Sequence, residues 1–416
     1  MGNRHTAVLL SQGDEVLTGQ TLDTNAAWLA ERLTDLGFEM LAMVTVGDRE
    51  PDIARAIDQA CEQADVVICS GGLGPTQDDL TSAAAASVLG VQLQLFPDEL
   101  EHIRGLYRRF ARPMAASNEK QAWLPAGSTA LRNDWGTAPG FRLSHRGAVA
   151  FFVPGVPREM RSFWTHRIQS DLLQRFQLSP ERLVVFRCMG IHESRLATLL
   201  QPFEALPDVT LGFRTMLPEN QVKLRLAPSM TPEREAQLVE QVRSTIGSAV
   251  YGVNTGSLEQ VIGDLLVEAG ASIATAESCT GGRISARLTS VPGASRYVLE
   301  GACVYANAAK VRTCSVNPQA LAQHGAVSEP VARQLAEGIR RRAGATFGLA
   351  TTGIAGPSGG SPDKPVGTVH VALATPVGTH HLHLKLVGDR DRITALAAGA
   401  ALDMLRRHLQ GLLPPL

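Results

Sequence analysis

Short apolar runs alternate along this chain with longer stretches in which apolar residues recur every three or four positions. The first pattern predicts buried strands and the second predicts helices packed by one face. Residues 7–10 read as a strand, and Leu29, Leu33 and Leu36 mark a helix that starts near Asp23-Thr24-Asn25 and stops at Gly37. Residues 41–46 give a second strand. Pro51 opens a helix that carries Ile53, Ile57 and Cys61 inward, and Val66-Val67-Ile68-Cys69 is a third strand. An unbroken apolar strand fits a sheet covered on both faces, and strands alternating with helices predict mostly parallel pairing. Ligands then bind beyond the carboxyl ends of the strands.

The pattern changes at residues 172–252. A strand at 183–187, a helix at 192–206, a hairpin from 209–216 to 221–226 and a helix opened by Thr231-Pro232 make a small α+β unit. Residues 251–255 read as a linker. Beyond it, Leu258, Ile262, Leu265 and Leu266 mark a helix, and residues 301–307 and 347–352 read as strands. A last hairpin at 366–386 precedes a helix with Ile393, Leu396, Ala400 and Met404 inward. The expected domains are 1–171, 172–252 and 253–416.

Two strand ends carry candidate chemistry. Residues 271–282 run from an apolar strand into Glu277-Ser278-Cys279-Thr280-Gly281-Gly282, and a helix pattern with Ile284, Leu288 and Val291 follows at once. A tight strand–turn–helix presents a nucleophile and aims backbone N–H groups at a ligand. Ser278 and Cys279 compete for that role, Cys279 being intrinsically the more nucleophilic. A serine needs a base, and no His–Asp pair is placed for a triad. His370, His380, His381 and His383 alternate in strands and read as sheet surface. A buried lysine serves as a base when desolvation lowers its pKa. Lys310, just past a strand that ends polar, suits the role, with Tyr305 as helper; a solvated Lys310 and a packed Tyr305 are the plainer alternatives. The other strand end is Gly71-Gly72-Leu73-Gly74-Pro75-Thr76-Gln77-Asp78-Asp79. Its glycines allow close approach to a phosphate, and its aspartates suit a hard cation; a glycine turn with an aspartate cap is the plain alternative.

Composition narrows the partners. The chain has 416 residues, is 44% hydrophobic and 19% charged, and carries a formal net charge of -1. These values describe a globular multidomain chain and argue against nucleic-acid binding, which would show as a basic surplus. No apolar run is long enough to span a bilayer, and Gly2 has no second lipidation signal beside it. Six scattered cysteines (Cys61, Cys69, Cys188, Cys279, Cys303, Cys314) fit reduced thiols, so a cytoplasmic protein is expected.

Taken together, these motifs resemble the CinA family. Gly13-Asp14-Glu15 with Gly19, Asp23-Thr24-Asn25, residues 71–79 and Pro154-Gly155-Val156-Pro157-Arg158-Glu159-Met160 are similar to its molybdopterin-binding-like domain. Residues 276–282, 305–310, 352–357 and 364–369 are similar to its carboxyl-terminal, PncC-type domain. The resemblance implies an α/β protein in three parts. These are a three-layer, mostly parallel-sheet domain with metal-dependent ADP-ribose pyrophosphatase activity, a small KH-like α+β domain, and an α/β nicotinamide mononucleotide amidohydrolase domain. No G-x-x-G loop accompanies the KH-like part, so it reads as structural. Carried onto this sequence, the catalytic set is Ser278 with Lys310 as base, assisted by Tyr305 and Thr352. Substrate contacts fall on Gly281, Gly282, Gly353 and Arg392 in that domain, and on Gly71, Gly72, Gly74 and Thr76 in the other. Asp14, Glu15, Asp78 and Asp79 are the metal carboxylates for Mg, Mn or Co, and the amidase half needs no cofactor. A homodimer is expected. The alternatives are a Cys279 amidase, or a nucleotide-sensing or competence-related scaffold with degenerate sites.

Overall fold

The computed structural model describes residues 5–413; Gly2, weighed above as a lipidation position, lies outside them. The chain forms two compact units, Met1–Arg182 and Leu183–Leu416.

The first unit is built on strands β1 (Thr6–Gln12), β2 (Glu39–Val46), β3 (Val66–Ser70), β4 (Leu93–Leu95), β5 (Trp123–Pro125), β6 (Thr129–Leu131), β7 (Gly140–His145) and β8 (Ala148–Val153). Its main sheet has the order β2-β1-β3-β8-β7-β6, while β4 and β5 form a separate antiparallel pair. Pairing is parallel from β2 to β8 and antiparallel from β8 to β6. Side chains alternate across each strand. Val8, Leu10, Val67 and Cys69 enter one core with Ile53 and Ile57 of the helix Glu50–Gln63. Ala7, Leu9, Val66 and Ile68 enter the opposite core with Leu29 and Leu33 of the helix Thr24–Leu36. Helices on both faces give the three layers expected of continuous apolar strands. The unit extends past residue 171: Leu172 is fully buried and Phe176 and Leu178 pack beside it, so the apolar face of the helix Gln169–Arg175 holds that segment to the first core.

The second unit contains two sheets. Strands β9 (Arg182–Met189), β10 (Val209–Met216), β11 (Glu219–Leu226) and β12 (Val250–Val253) pair in the order β10-β11-β9-β12. The helices Glu193–Glu204 and Pro232–Ile246 cover them through Leu196, Leu200, Leu238 and Val242. Met216 pairs with Glu219, so the turn is Leu217-Pro218, one step earlier than the sequence suggests. The expected linker is not free chain. Tyr251 is buried in β12, and Asn254 ties its end to β9 by exchanging hydrogen bonds with Val185 at 2.8 and 2.9 Å. Its Gly and Asn residues read as a loop, but the alternation of Tyr251 and Val253 satisfies a strand.

Strands β13 (Ile273–Glu277), β14 (Val298–Cys303), β15 (Phe347–Gly353), β16 (Thr368–Thr375) and β17 (Gly378–Lys385) form the last sheet, ordered β14-β13-β15-β16-β17. The first three strands are parallel and the last two antiparallel. Ile284, Leu288, Ile393 and Ala397 pack on one face, from the helices Arg283–Thr289 and Arg390–Leu409. Val331, Leu335 and Cys314 pack on the other, from the helices Glu329–Ala343 and Asn307–Cys314. Among the described residues, no helix is long and apolar enough to cross a membrane.

Candidate functional site

Strand β13 ends where its two-residue alternation still sets direction. Ala274 and Ala276 face the core beneath the helix Glu329–Ala343, and Ser278 continues that side. The Ser278 N–H donates to the Thr351 carbonyl at 3.0 Å, which holds the turn to β15. Cys279 turns the other way, into the core with Leu258 and Ile284.

Lys310 reaches Ser278 from the helix Asn307–Cys314 and is 1% exposed. Its Nζ lies 3.2 Å from Ser278 Oγ and 2.9 Å from each of the Val304 and Tyr305 carbonyl oxygens. Burial pushes the Lys310 pKa below its ordinary value. A neutral amine has two N–H donors and one lone pair. With both carbonyls taking the donors, the lone pair is left for the serine hydroxyl. Cys279 is in the opposite situation: burial raises its thiol to about 12, and a thiol that stays protonated is a poor nucleophile.

The remaining expected residues divide. Thr352 is fully buried beside this site, but its hydroxyl donates to the Ala326 carbonyl at 2.8 Å, so it anchors a loop. Tyr305 is 57% exposed, and its hydroxyl accepts from Arg390 Nη2 at 2.5 Å. Arg390 also donates to the Gly356 carbonyl at 2.8 Å. Arg392 Nε donates to the Val387 carbonyl at 3.2 Å, and Arg390, two residues earlier, is the guanidinium beside Tyr305. Sequence spacing gave no way to choose between two arginines at a helix start. The N–H groups of Gly281 and Gly282 are taken up within the turn, donating to the Ser278 carbonyl at 3.2 Å and to Glu277 Oε2 at 3.0 Å. Gly353 lies in the ladder opposite Val369, where an added Cβ would meet the Val369 side chain at 2.7 Å, so its glycine answers to packing. The strand histidines are not plain sheet surface. His370 stacks on His383 with centroids 4.5 Å apart and bonds His381 at 3.0 Å; burial and its imidazole neighbours lower its pKa to about 4.

In the first unit, a cavity of about 420 Å³ opens beyond the carboxyl ends of β1, β3 and β8, where Gln12, Gly71 and Pro154 line it. Glu15, Asp78, Asp79, Gly72 and Gly74 line it too, together with Asp48 and Glu159, which the sequence reading did not single out. Asp48 follows the end of β2 through Gly47, and Glu159 lies in the first turn of the helix Pro157–Phe163 just past the end of β8, so strand-end position was the available signal.

Two expected contacts lie outside the lining. Asp14 is absent from the lining; it exchanges backbone–carboxylate hydrogen bonds with Asp48 at 3.0 and 3.2 Å. Thr76 is outside the lining as well, since its N–H and hydroxyl both donate to Asp79 Oδ2, at 2.8 and 2.5 Å. That bonding makes Asp79 a local cap, and the hydroxyl of Thr76 also lowers the pKa of Asp78. Gly71 donates its N–H to the Val153 carbonyl at 3.0 Å, so it is a packing glycine; a Cβ there would meet the Gln12 carbonyl oxygen at 2.5 Å.

Among the described residues, the cavity is lined by five carboxylates (Glu15, Asp48, Asp78, Asp79, Glu159) and by no Lys, Arg or His. Its side-chain donors are oxygen-rich, which suits a hard divalent cation. Among the described residues, no three His, Cys, Asp or Glu side chains are grouped to hold an ion by themselves. A polyphosphate entering this cavity meets like charge unless a cation accompanies it.

A family model described as "CinA C-terminal domain" matches residues 255–409, and one described as "Probable molybdopterin binding domain" matches residues 8–174. A CinA-like protein of Anaeromyxobacter dehalogenans is 42% identical over 405 residues, 97% of this chain and 99% of that one. A CinA-like protein of Shewanella frigidimarina is 40% identical over 403 residues, 96% of this chain and 95% of its own. The crystal structure of competence/damage inducible protein CihA from Agrobacterium tumefaciens is 39% identical, covering 38% of this chain and 97% of that chain with a TM-score of 0.36. With full-length relatives at this identity and both halves matched, the chain belongs to the CinA family.

Proposed function

We propose that the second unit hydrolyses the carboxamide of nicotinamide mononucleotide, releasing ammonia and nicotinate mononucleotide. The observation that carries this reading is the buried Lys310 amine 3.2 Å from Ser278 Oγ, with two backbone carbonyls on its N–H groups. Ser278 Oγ attacks the carboxamide carbon while Lys310 Nζ takes the hydroxyl proton. The tetrahedral intermediate collapses, the C–N bond breaks, and Lys310 returns the proton to the leaving ammonia. Water, deprotonated by the same amine, then cleaves the acyl ester. General base assistance of this kind contributes on the order of 10²–10⁴ in rate.

Arg390 and the Tyr305 hydroxyl form an exposed polar pair suited to the substrate phosphate, because a guanidinium fork matches phosphate oxygens. Arg390→Ala is expected to raise KM for nicotinamide mononucleotide by about tenfold or more, the worth of a charged hydrogen bond, and Arg392→Ala by less than about threefold. Steady-state kinetics of both variants decides it; the reverse order restores Arg392 as the contact.

For the first unit we infer hydrolysis of ADP-ribose to AMP and ribose 5-phosphate, the acidic cavity being the supporting observation. A magnesium-type ion, which takes one or two carboxylates together with substrate phosphates, would supply charge neutralisation there. Glu15, Asp78 and Asp79 would share it with the substrate. EDTA is expected to abolish AMP formation, and added Mg, Mn or Co to restore it. Chromatographic assay of AMP from the Asp78→Asn/Asp79→Asn double variant should show a loss of about a hundredfold. An unchanged rate removes these carboxylates from the mechanism.

A further inference from the structure

Glu277 is fully buried at the end of β13, immediately before the proposed nucleophile. Its carboxylate accepts four hydrogen bonds: Oε2 from the N–H groups of Gly282 and Ile284, both at 3.0 Å, and Oε1 from the N–H and hydroxyl of Ser285, at 2.8 and 2.7 Å. It thus fills the amino-terminal end of the helix Arg283–Thr289, leaving no room there for a substrate anion. The chain returns over Glu277 through two consecutive left-handed residues, Gly281 (φ 62) and Gly282 (φ 100), a conformation that favours glycine. The Gly281 N–H is held by the Ser278 carbonyl at 3.2 Å. Every amide of the turn from Gly281 to Ser285 therefore has an acceptor, Arg283 donating to the Thr280 carbonyl at 3.1 Å. Among the described residues, the Thr280 N–H has no oxygen acceptor, and the Cys279 N–H is directed only at its own thiol sulfur, a weak acceptor.

We propose that Glu277 is a positioning residue of the amidase site: its buried carboxylate shapes the turn after Ser278 so that the Cys279 and Thr280 N–H groups receive the oxyanion of the tetrahedral intermediate. The proposal rests on the Ser278–Lys310 acyl-transfer reading. Backbone N–H donors directly after a nucleophile act on charge that develops only in the transition state. Disordering the turn should therefore lower kcat and leave KM near its wild-type value.

The test uses Glu277→Gln in the full chain, which keeps side-chain length but sets an NH₂ group against N–H donors. Ammonia release from nicotinamide mononucleotide, thermal unfolding and the rate of Ser278 labelling by a fluorophosphonate are measured. Expected is a kcat loss of about a hundredfold, with KM within about threefold, in protein that still unfolds cooperatively. Folded Glu277→Gln protein with wild-type kcat, or with the loss confined to KM, overturns the proposal. If Glu277→Gln does not fold, Ser285→Ala removes one donor while leaving the carboxylate; a smaller kcat loss supports the proposal and a wild-type kcat overturns it. Wild-type protein that is labelled at Ser278 but inert toward nicotinamide mononucleotide sinks the substrate reading alone, and the labelling rates then decide the role of Glu277. Wild-type protein that neither hydrolyses nor labels sinks both.

Discussion

Ser278→Ala is expected to abolish ammonia release from nicotinamide mononucleotide, a loss of at least about a thousandfold, while Cys279→Ala retains most activity. The reason lies in where two adjacent residues point. Ser278 Oγ is 3.2 Å from a buried amine, and replacing it removes the only bond-forming atom of the proposed reaction. Cys279 is 6% exposed in an apolar core, with its thiol raised to about 12. At neutral pH its thiolate is too scarce to compete, despite the greater intrinsic reactivity of sulfur. Truncating it leaves a small cavity, of the kind that costs about 1–2 kcal/mol of stability, with the site intact. Mass detection of an acyl-enzyme on Ser278 would complete the assignment. An active Ser278→Ala with an inactive Cys279→Ala would reverse it.

Lys310 should give the second large effect, and it has a sign. Burial lowers its pKa, so the neutral amine forms at a lower pH than for an exposed lysine. Activity is expected to rise with pH through that lowered pKa and then level off, since only the neutral form accepts the serine proton. Below it the ammonium cannot act as base. The linkage to stability runs the same way. The unfolded chain holds a proton that the folded state lacks between the lowered and the ordinary pKa, so this group's contribution to stability rises with pH across that window. Lys310→Arg keeps a positive charge but cannot be neutralised at these pH values, and Lys310→Met has no base. Both are expected to lose about a hundredfold or more in kcat. A pH–rate profile that is flat in the wild type, or Lys310→Arg with near-wild-type activity, would remove Lys310 as the base.

The two assignments were unequally visible before the structure. Lys310 stood out because it is a lone lysine after a polar strand end, yet a solvated helix position explained the same letters. Three oxygens around one nitrogen settle which environment it has: two carbonyls from the loop after β14 and the hydroxyl of the turn after β13. Arg390 and Arg392 differ by two residues on one helix start, and no pattern in the chain separates them. The direction of the first turn decides that one reaches Tyr305 and the other Val387. Asp14 illustrates the same limit: an acidic residue beside a glycine loop was expected to face a ligand, and it is instead tied to Asp48 across two strand ends.

What the sequence by itself determined are the quantities carried by local period and spacing. Apolar runs bounded by glycine and proline specify buried strands. Recurrence at three and four residues specifies helix faces, and turn chemistry places the two sites at strand ends. These follow from backbone geometry that repeats within a few residues. Only the tertiary structure decided which neighbours meet across sheet and helix: that Tyr251 closes a strand instead of a linker, that Cys279 enters the core while Ser278 faces Lys310, and that Glu277 holds the turn that follows them. Those outcomes depend on contacts between residues tens of positions apart, whose energies no local pattern contains.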